Sequence, residues 1–190
     1  MSRRVADSST VCAPAEILSF WFEECSSDVW FNAPAGLDER MRGRFRETHL
    51  ALARALPEVW RASPANRLAS IIVLDQFPRN IYRGTPLAFA TDCLALREAK
   101  AALDAGADQA VPRECRPFFY IPFQHAEDIT EQERSVALFT AYGDEEHLEY
   151  ALRHREVIAA FGRFPHRNAI LGRESIEAEL EYLSKPNAGF

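Results

Sequence analysis

The chain has 190 residues, 47% of them hydrophobic and 11% aromatic, which is enough for one domain around a buried core. Its formal net charge of −6 and pI near 5.4 argue against nucleic-acid binding by bulk electrostatics and leave only a local basic cleft open. Cys12, Cys25, Cys93 and Cys115 are scattered with no Cys-x-x-Cys pair, which argues against a metal ribbon or a disulfide framework and fits reduced thiols in a cytoplasm. The first ten residues hold two arginines but no apolar stretch of the secretory kind, and no apolar run approaches a membrane span. The sequence therefore predicts a soluble cytoplasmic protein with no membrane or nucleic-acid partner. Its basic residues are nearly all arginine, Lys100 and Lys185 excepted, a bias that genome composition explains as well as function does.

Residues 1–12 are polar and small and are expected to fray, 13–186 to form a single helical domain, and 187–190 a short tail. Pro14 suits a first helical turn, with Ile17, Leu18, Trp21 and Phe22 as its apolar stripe. Trp30 and Phe31 follow in a loop with Asn32 and Pro34, pinned by the Trp. Leu37, Met41, Phe45 and Leu52 mark a helix from about Asp38 to Ala55, whose arginine-rich opposite face reads as solvated. Pro57 and Trp60 make a turn. Ser63-Pro64 caps the next helix, which should end near Phe77 because Pro78 stops it. Thr85-Pro86 repeats that signal for a helix from Leu87 to Ala105, which carries Phe89, Cys93, Leu96 and Leu103 and is closed by Gly106. Three prolines over residues 107–122 leave Phe118 to Ile121 as a packed irregular segment or one short helix. Thr130-x-x-Glu133 reads as a capping box opening a helix that Gly143 closes, and Asp144 caps the helix leading to Phe161. A last helix runs from Ser175 to Leu183. Seven or so helices with no period-2 pattern give an all-α fold of stacked antiparallel hairpins, tetratricopeptide-like in the manner of a degenerate solenoid.

Two strings stand out. Asp75, Gln76, Arg79, Asn80 and Arg83 surround Phe77-Pro78, and Arg163, His166, Arg167, Asn168 and Arg173 surround Phe164-Pro165. Each combines guanidinium forks with an amide, the chemistry of a site for a carboxylate or phosphate. Each equally suits a helix corner whose last carbonyls need donors. A third segment, His125-Ala126-Glu127-Asp128, puts His125 and Asp128 at i, i+3 if it is helical, the arrangement of an imidazole held by a carboxylate for general-base work. Asp92 is placed to hold Arg79 or Arg167 in a buried ion pair. His154 is expected to face the same region, and His49 and His147 to be solvated. No His-Glu-x-x-His or other strong metal signature is present, and no cofactor is implied.

Phe20-Trp21-Phe22, Leu74 to Asn80, Ala88 to Asp92, Pro122 to Asp128 and Phe161 to Asn168 with Leu171-Gly172-Arg173 together resemble the domain-of-unknown-function family numbered 924, over roughly residues 14–184. The resemblance implies an all-helical, tetratricopeptide-like fold and assigns no activity. Two functions follow from the residues. One is a site for a small anionic molecule, with His125, Glu127 and Asp128 as candidate catalytic groups for hydrolysis or group transfer and the two arginine strings with Asp92 as the binding set. The other is a helical scaffold for a protein or peptide partner, with the same residues locked in a salt-bridge network. A metal-dependent hydrolase using His125, Asp128 and His166 is a third.

Overall fold

The computed structural model describes residues 11–25, 30, 36–186 and 188–189. The expected tail at 1–10, and the loop residues Phe31, Asn32 and Pro34, lie outside the described residues. Cys12 is not frayed: its amide donates to Thr48 Oγ1 at 2.9 Å. The described elements are all helical, as the patterning requires. They are α1 (Pro14–Ser19, running on as a π turn Phe20–Glu24), α2 (Leu37–Arg54), α3 (Pro64–Ile81), α4 (Asp92–Asp104), α5 (Pro117–Gln124), α6 (Ile129–Tyr142), α7 (Glu145–Phe161), α8 (Asn168–Leu171) and α9 (Glu177–Leu183), linked by short 3₁₀ turns.

α3 is the centre, packed against α1, α2, α4 and α5. Every residue from Leu68 to Pro78 is buried, so this helix has no solvent face there, as a helix apolar all round must. Its antiparallel order against α2 shows at the ends, where Asp38 at the start of α2 accepts from Asn80 Nδ2 at 2.9 Å at the end of α3. The core continues through Trp21, Phe45, Phe77 and Phe119, and Trp30 stacks on Trp21 and donates to its carbonyl at 2.8 Å. A smaller cluster of Val157, Ile158 and Phe164 packs with Phe161 and Tyr182 near the C-terminus.

Three expectations are corrected. Pro78 does not stop α3, which runs on to Ile81. A mid-helix proline leaves the carbonyl four residues back without its N–H, and here Thr91 Oγ1 donates to that carbonyl, Leu74 O, at 2.6 Å. The helix after Thr85-Pro86 starts at Asp92, because Pro86–Ala88 closes only a 3₁₀ turn and Thr85 Oγ1 turns back to Tyr82 O. The fully buried face of that helix is Ala95, Ala99 and Ala102, which allow close approach to α3, and Leu96 and Leu103 pack partly against the core while Cys93 is exposed. Finally, α6 is capped by Asp128, whose carboxylate accepts from Thr130 N and Glu131 N, so Thr130 lies inside the helix and not at its cap.

Candidate functional site

Asp75 is the chemical oddity of α3, a carboxylate with 1% exposure inside the most buried helix. A lone charge there would be expensive. Gln76 Nε2 donates to it, Arg79 Nη1 stands 3.6 Å away, and His125 Nδ1 lies 2.8 and 3.1 Å from its two oxygens. Burial pushes this carboxyl up, but Arg79, His125 and Gln76 together outweigh it and hold the group ionised. His125 responds oppositely. Burial, then Arg79, lowers its pKa more than Asp75 and Asp92 raise it, so the ring is neutral at neutral pH. A neutral ring donating from Nδ1 to Asp75 carries its lone pair on Nε2.

The expected geometry at 125–128 is therefore different. His125 ends α5 and Asp128 begins α6, so Asp128 does not hold the imidazole; Asp75, fifty residues earlier in the chain, does. Glu127 is committed to Arg173 through two bonds of 2.6 and 2.9 Å and also accepts from Phe164 N at 2.8 Å. These bonds overcome burial and keep its carboxyl below the ordinary range. The turn that presents His125 is itself fixed by a residue without any signal in the sequence. Gln132 is fully buried and its amide donates to Gln124 O and Ala126 O, both at 2.7 Å.

Asp92, at the first turn of α4, holds both arginines. Arg79 grips it with a fork at 3.0 and 3.1 Å, and Arg167 reaches it at 3.2 Å. The arginines are not equivalent. Arg79 has two carboxylates, and their attraction outweighs burial and raises its pKa. Arg167 is 6% exposed, lies 4.5 Å from the Phe89 centroid and 4.6 Å from that of Phe164, and otherwise donates to His125 O at 3.2 Å. Its Nε makes no hydrogen bond among the described residues. Burial, unmatched by the shared Asp92, pulls Arg167 down to about 10.

These groups meet at a cleft of about 360 Å³ between α4, the α5–α6 turn and α8, bordered by Asp92, His125, Glu127, Asp128 and Arg167 and walled by Phe89, Cys93, Leu96 and Leu171. His154 faces the back of His125, with ring centroids 6.3 Å apart. Another cleft, of about 440 Å³ between α7 and α9, is lined by none of the candidate catalytic or binding residues.

The remaining members of the two strings are elsewhere. Asn80 and Arg83 bind Asp38 and tie α3 to α2. Arg163 and Asn168 bind Glu179, Arg173 Nε donates to Asn168 Oδ1, and the set ties α9 to the 163–173 turn. His166 packs its ring 5.6 Å from that of Phe164, and burial, then Arg167, lowers its pKa to about 4. The strings are alike in role though not in shape, since the first lies inside a helix and the second in a 3₁₀ turn. In each, the Arg of Arg-Asn goes to Asp92 and the Asn to a carboxylate on another element. His49, expected to be solvated, is buried between Tyr82 OH at 3.0 Å and Thr91 Oγ1 at 3.1 Å, and His147 is half-buried with Nδ1 on Asp144 at 2.7 Å. Among the described residues no group of three or more His, Cys, Asp or Glu could hold a metal ion. No described helix is long and apolar enough to cross a membrane.

No curated protein matches the chain. A solved structure is similar to it, that of a protein of unknown function, Atu0120 from Agrobacterium tumefaciens. The identity is 43%, the TM-score 0.86, and the match covers 91% of this chain and 97% of that one. Residues 17–187 match the family described as a bacterial protein of unknown function, DUF924, and the chain belongs to that family.

Proposed function

We propose that the cleft is a small-molecule site whose ligand brings an anionic group to Arg167, with His125 as the general base of a hydrolysis or group transfer. The observation that carries this reading is the imbalance at Arg167. Buried charges in proteins are paired, yet this guanidinium shares its one carboxylate with Arg79 and makes that contact at 3.2 Å. An anion entering the cleft would give Arg167 a partner it does not share. His125 Nε2 is the nitrogen left to take a proton from a water or hydroxyl there, and 15% of the side chain remains exposed. Glu127 and Asp128 border the cleft but are spent on Arg173 and on the α6 cap, so His125 takes the base role alone. Free thiols at Cys12, Cys25, Cys93 and Cys115 support a reducing, cytoplasmic setting.

Thermal denaturation with a panel of small carboxylates and phosphate esters tests the anion site. At least one should raise the midpoint of the wild type and not of Arg167→Lys, whose compact ammonium cannot replace the stacked fork. The base is tested by two substitutions at one position. His125→Asn keeps a donor near the Nδ1 position for Asp75 and removes Nε2. It should fold normally and lose turnover on any substrate found. His125→Gln, which loses the Asp75 bond, should lose stability as well. If both variants keep full turnover, His125 is structural and is not the base.

A further inference from the structure

The apolar wall of the cleft indicates what else the ligand carries. Ala95, Ala99 and Ala102 form the buried face of α4, while Phe89, just before the helix, and Leu96 on it are half-buried and Cys93 is exposed. With Leu171, these last three wall the same cleft that presents Arg167. Apolar surface left wet in a concave site is stabilised when a ligand covers it. The cleft, about 360 Å³, has room beyond a single hydrated ion, since one water takes up roughly 30 Å³ of liquid. The charges also narrow the choice. Arg167 is one under-compensated cation, and the carboxylates of Asp92, Glu127 and Asp128 border the same space, so a dianion would meet repulsion. A guanidinium fork suits a planar carboxylate.

Building on the anion-site reading, we propose that the ligand is a monocarboxylate with an apolar tail, its carboxylate on Arg167 and its tail along Phe89, Cys93, Leu96 and Leu171. The test is binding of the straight-chain acids from acetate to octanoate, with inorganic phosphate alongside, to the full chain. Affinity should rise about two- to fourfold per methylene until the tail outgrows the cleft, the range for partial to full burial of each group. Phosphate should bind no better than acetate. Cys93→Asp, at an exposed position, should remove the gain with tail length while leaving the unliganded denaturation midpoint unchanged. Octanoate should slow alkylation of the Cys93 thiol, read by peptide mass mapping. Arg167-dependent binding that is flat with chain length, or tighter for phosphate, overturns the tail and leaves the anion site standing. No response to any anion overturns the anion site itself. A chain-length gain that survives Cys93→Asp without protecting the thiol puts the acids elsewhere and also overturns the assignment.

Discussion

The cleft and the C-terminal corner are built from the same residue types and reach opposite states. At the corner Arg163 and Arg173 each have a carboxylate of their own. Arg163 forks onto Glu179 at 2.6 and 2.8 Å, Glu179 also accepts from Ile176 N at 2.9 Å, and Arg173 forks onto Glu127. At the cleft one carboxylate, Asp92, serves two guanidiniums, and the imidazole held by Asp75 keeps its second nitrogen available. Closed networks hold elements together. The cleft's two arginines and two carboxylates, Asp75 and Asp92, balance in number, but Arg167 reaches only the shared Asp92, and a ligand anion would give it a partner of its own. Composition and local strings cannot tell these apart, because the difference lies in how many carboxylates the fold brings within reach of each arginine.

Removing the shared carboxylate should have the largest effect. Asp92→Ala leaves two largely buried guanidiniums with Asp75 as their one remaining acid, at a cost of about 3–5 kcal/mol in urea denaturation. Acetate should restore part of that loss, since the cleft already has room for it. If acetate rescues Glu179→Ala equally well, the distinction between open cleft and closed corner is wrong. A smaller effect tests the frame that carries Asp92. Thr91→Val removes the hydroxyl that satisfies Leu74 O and that meets His49 Nε2, at about 1–3 kcal/mol. Pro78→Ala returns a backbone N–H to Leu74 O, so Thr91→Val should cost less in that background. Additive losses in the double-mutant cycle would show that Thr91 does not compensate for the proline.

The helices were legible because their apolar spacing and caps are local: Ser63 accepts from Asn66 N and Asp144 from His147 N as the sequence indicates. The errors came where a distant residue changed a local rule. Pro78 reads as a stop until Thr91 is folded against it. Asp128 reads as the partner of His125 until Asp75 arrives from the core. The meeting of Arg79, Asp92, His125 and Arg167 was legible as unusual strings, whereas Gln132, Thr91 and His49, which fix the backbone beneath them, carry no local mark. Glutamine and threonine in a helix or turn ordinarily face water, and only burial gives these two their roles.

The smallest effect should separate the two regions by pH. Burial keeps His125 and His154 neutral at the cleft, and His166 neutral against Phe164 beside it. It lowers all three, His166 to about 4 and His154 to about 2, from an ordinary 6.5. The unfolded chain then binds these protons more tightly, so their contribution is complete above pH 6.5 and is lost as pH falls below it. His166 alone should account for about 1 kcal/mol between pH 7 and 5.5. At the corner the sign is the same but the window is lower. Arg163 holds Glu179 at about 2, and Arg173 helps keep Glu127 below its ordinary 4.5, so their contributions are lost only below about pH 4.5. His49, lowered by burial to about 4, adds its own loss on α2, so the global midpoint does not discriminate. Amide exchange resolved by residue does. On acidification from pH 7 to 5, the α5–α6 turn and α8 should lose protection while α9 keeps it, and an α9 that opens first would mean that the corner, not the cleft, is the weaker of the two.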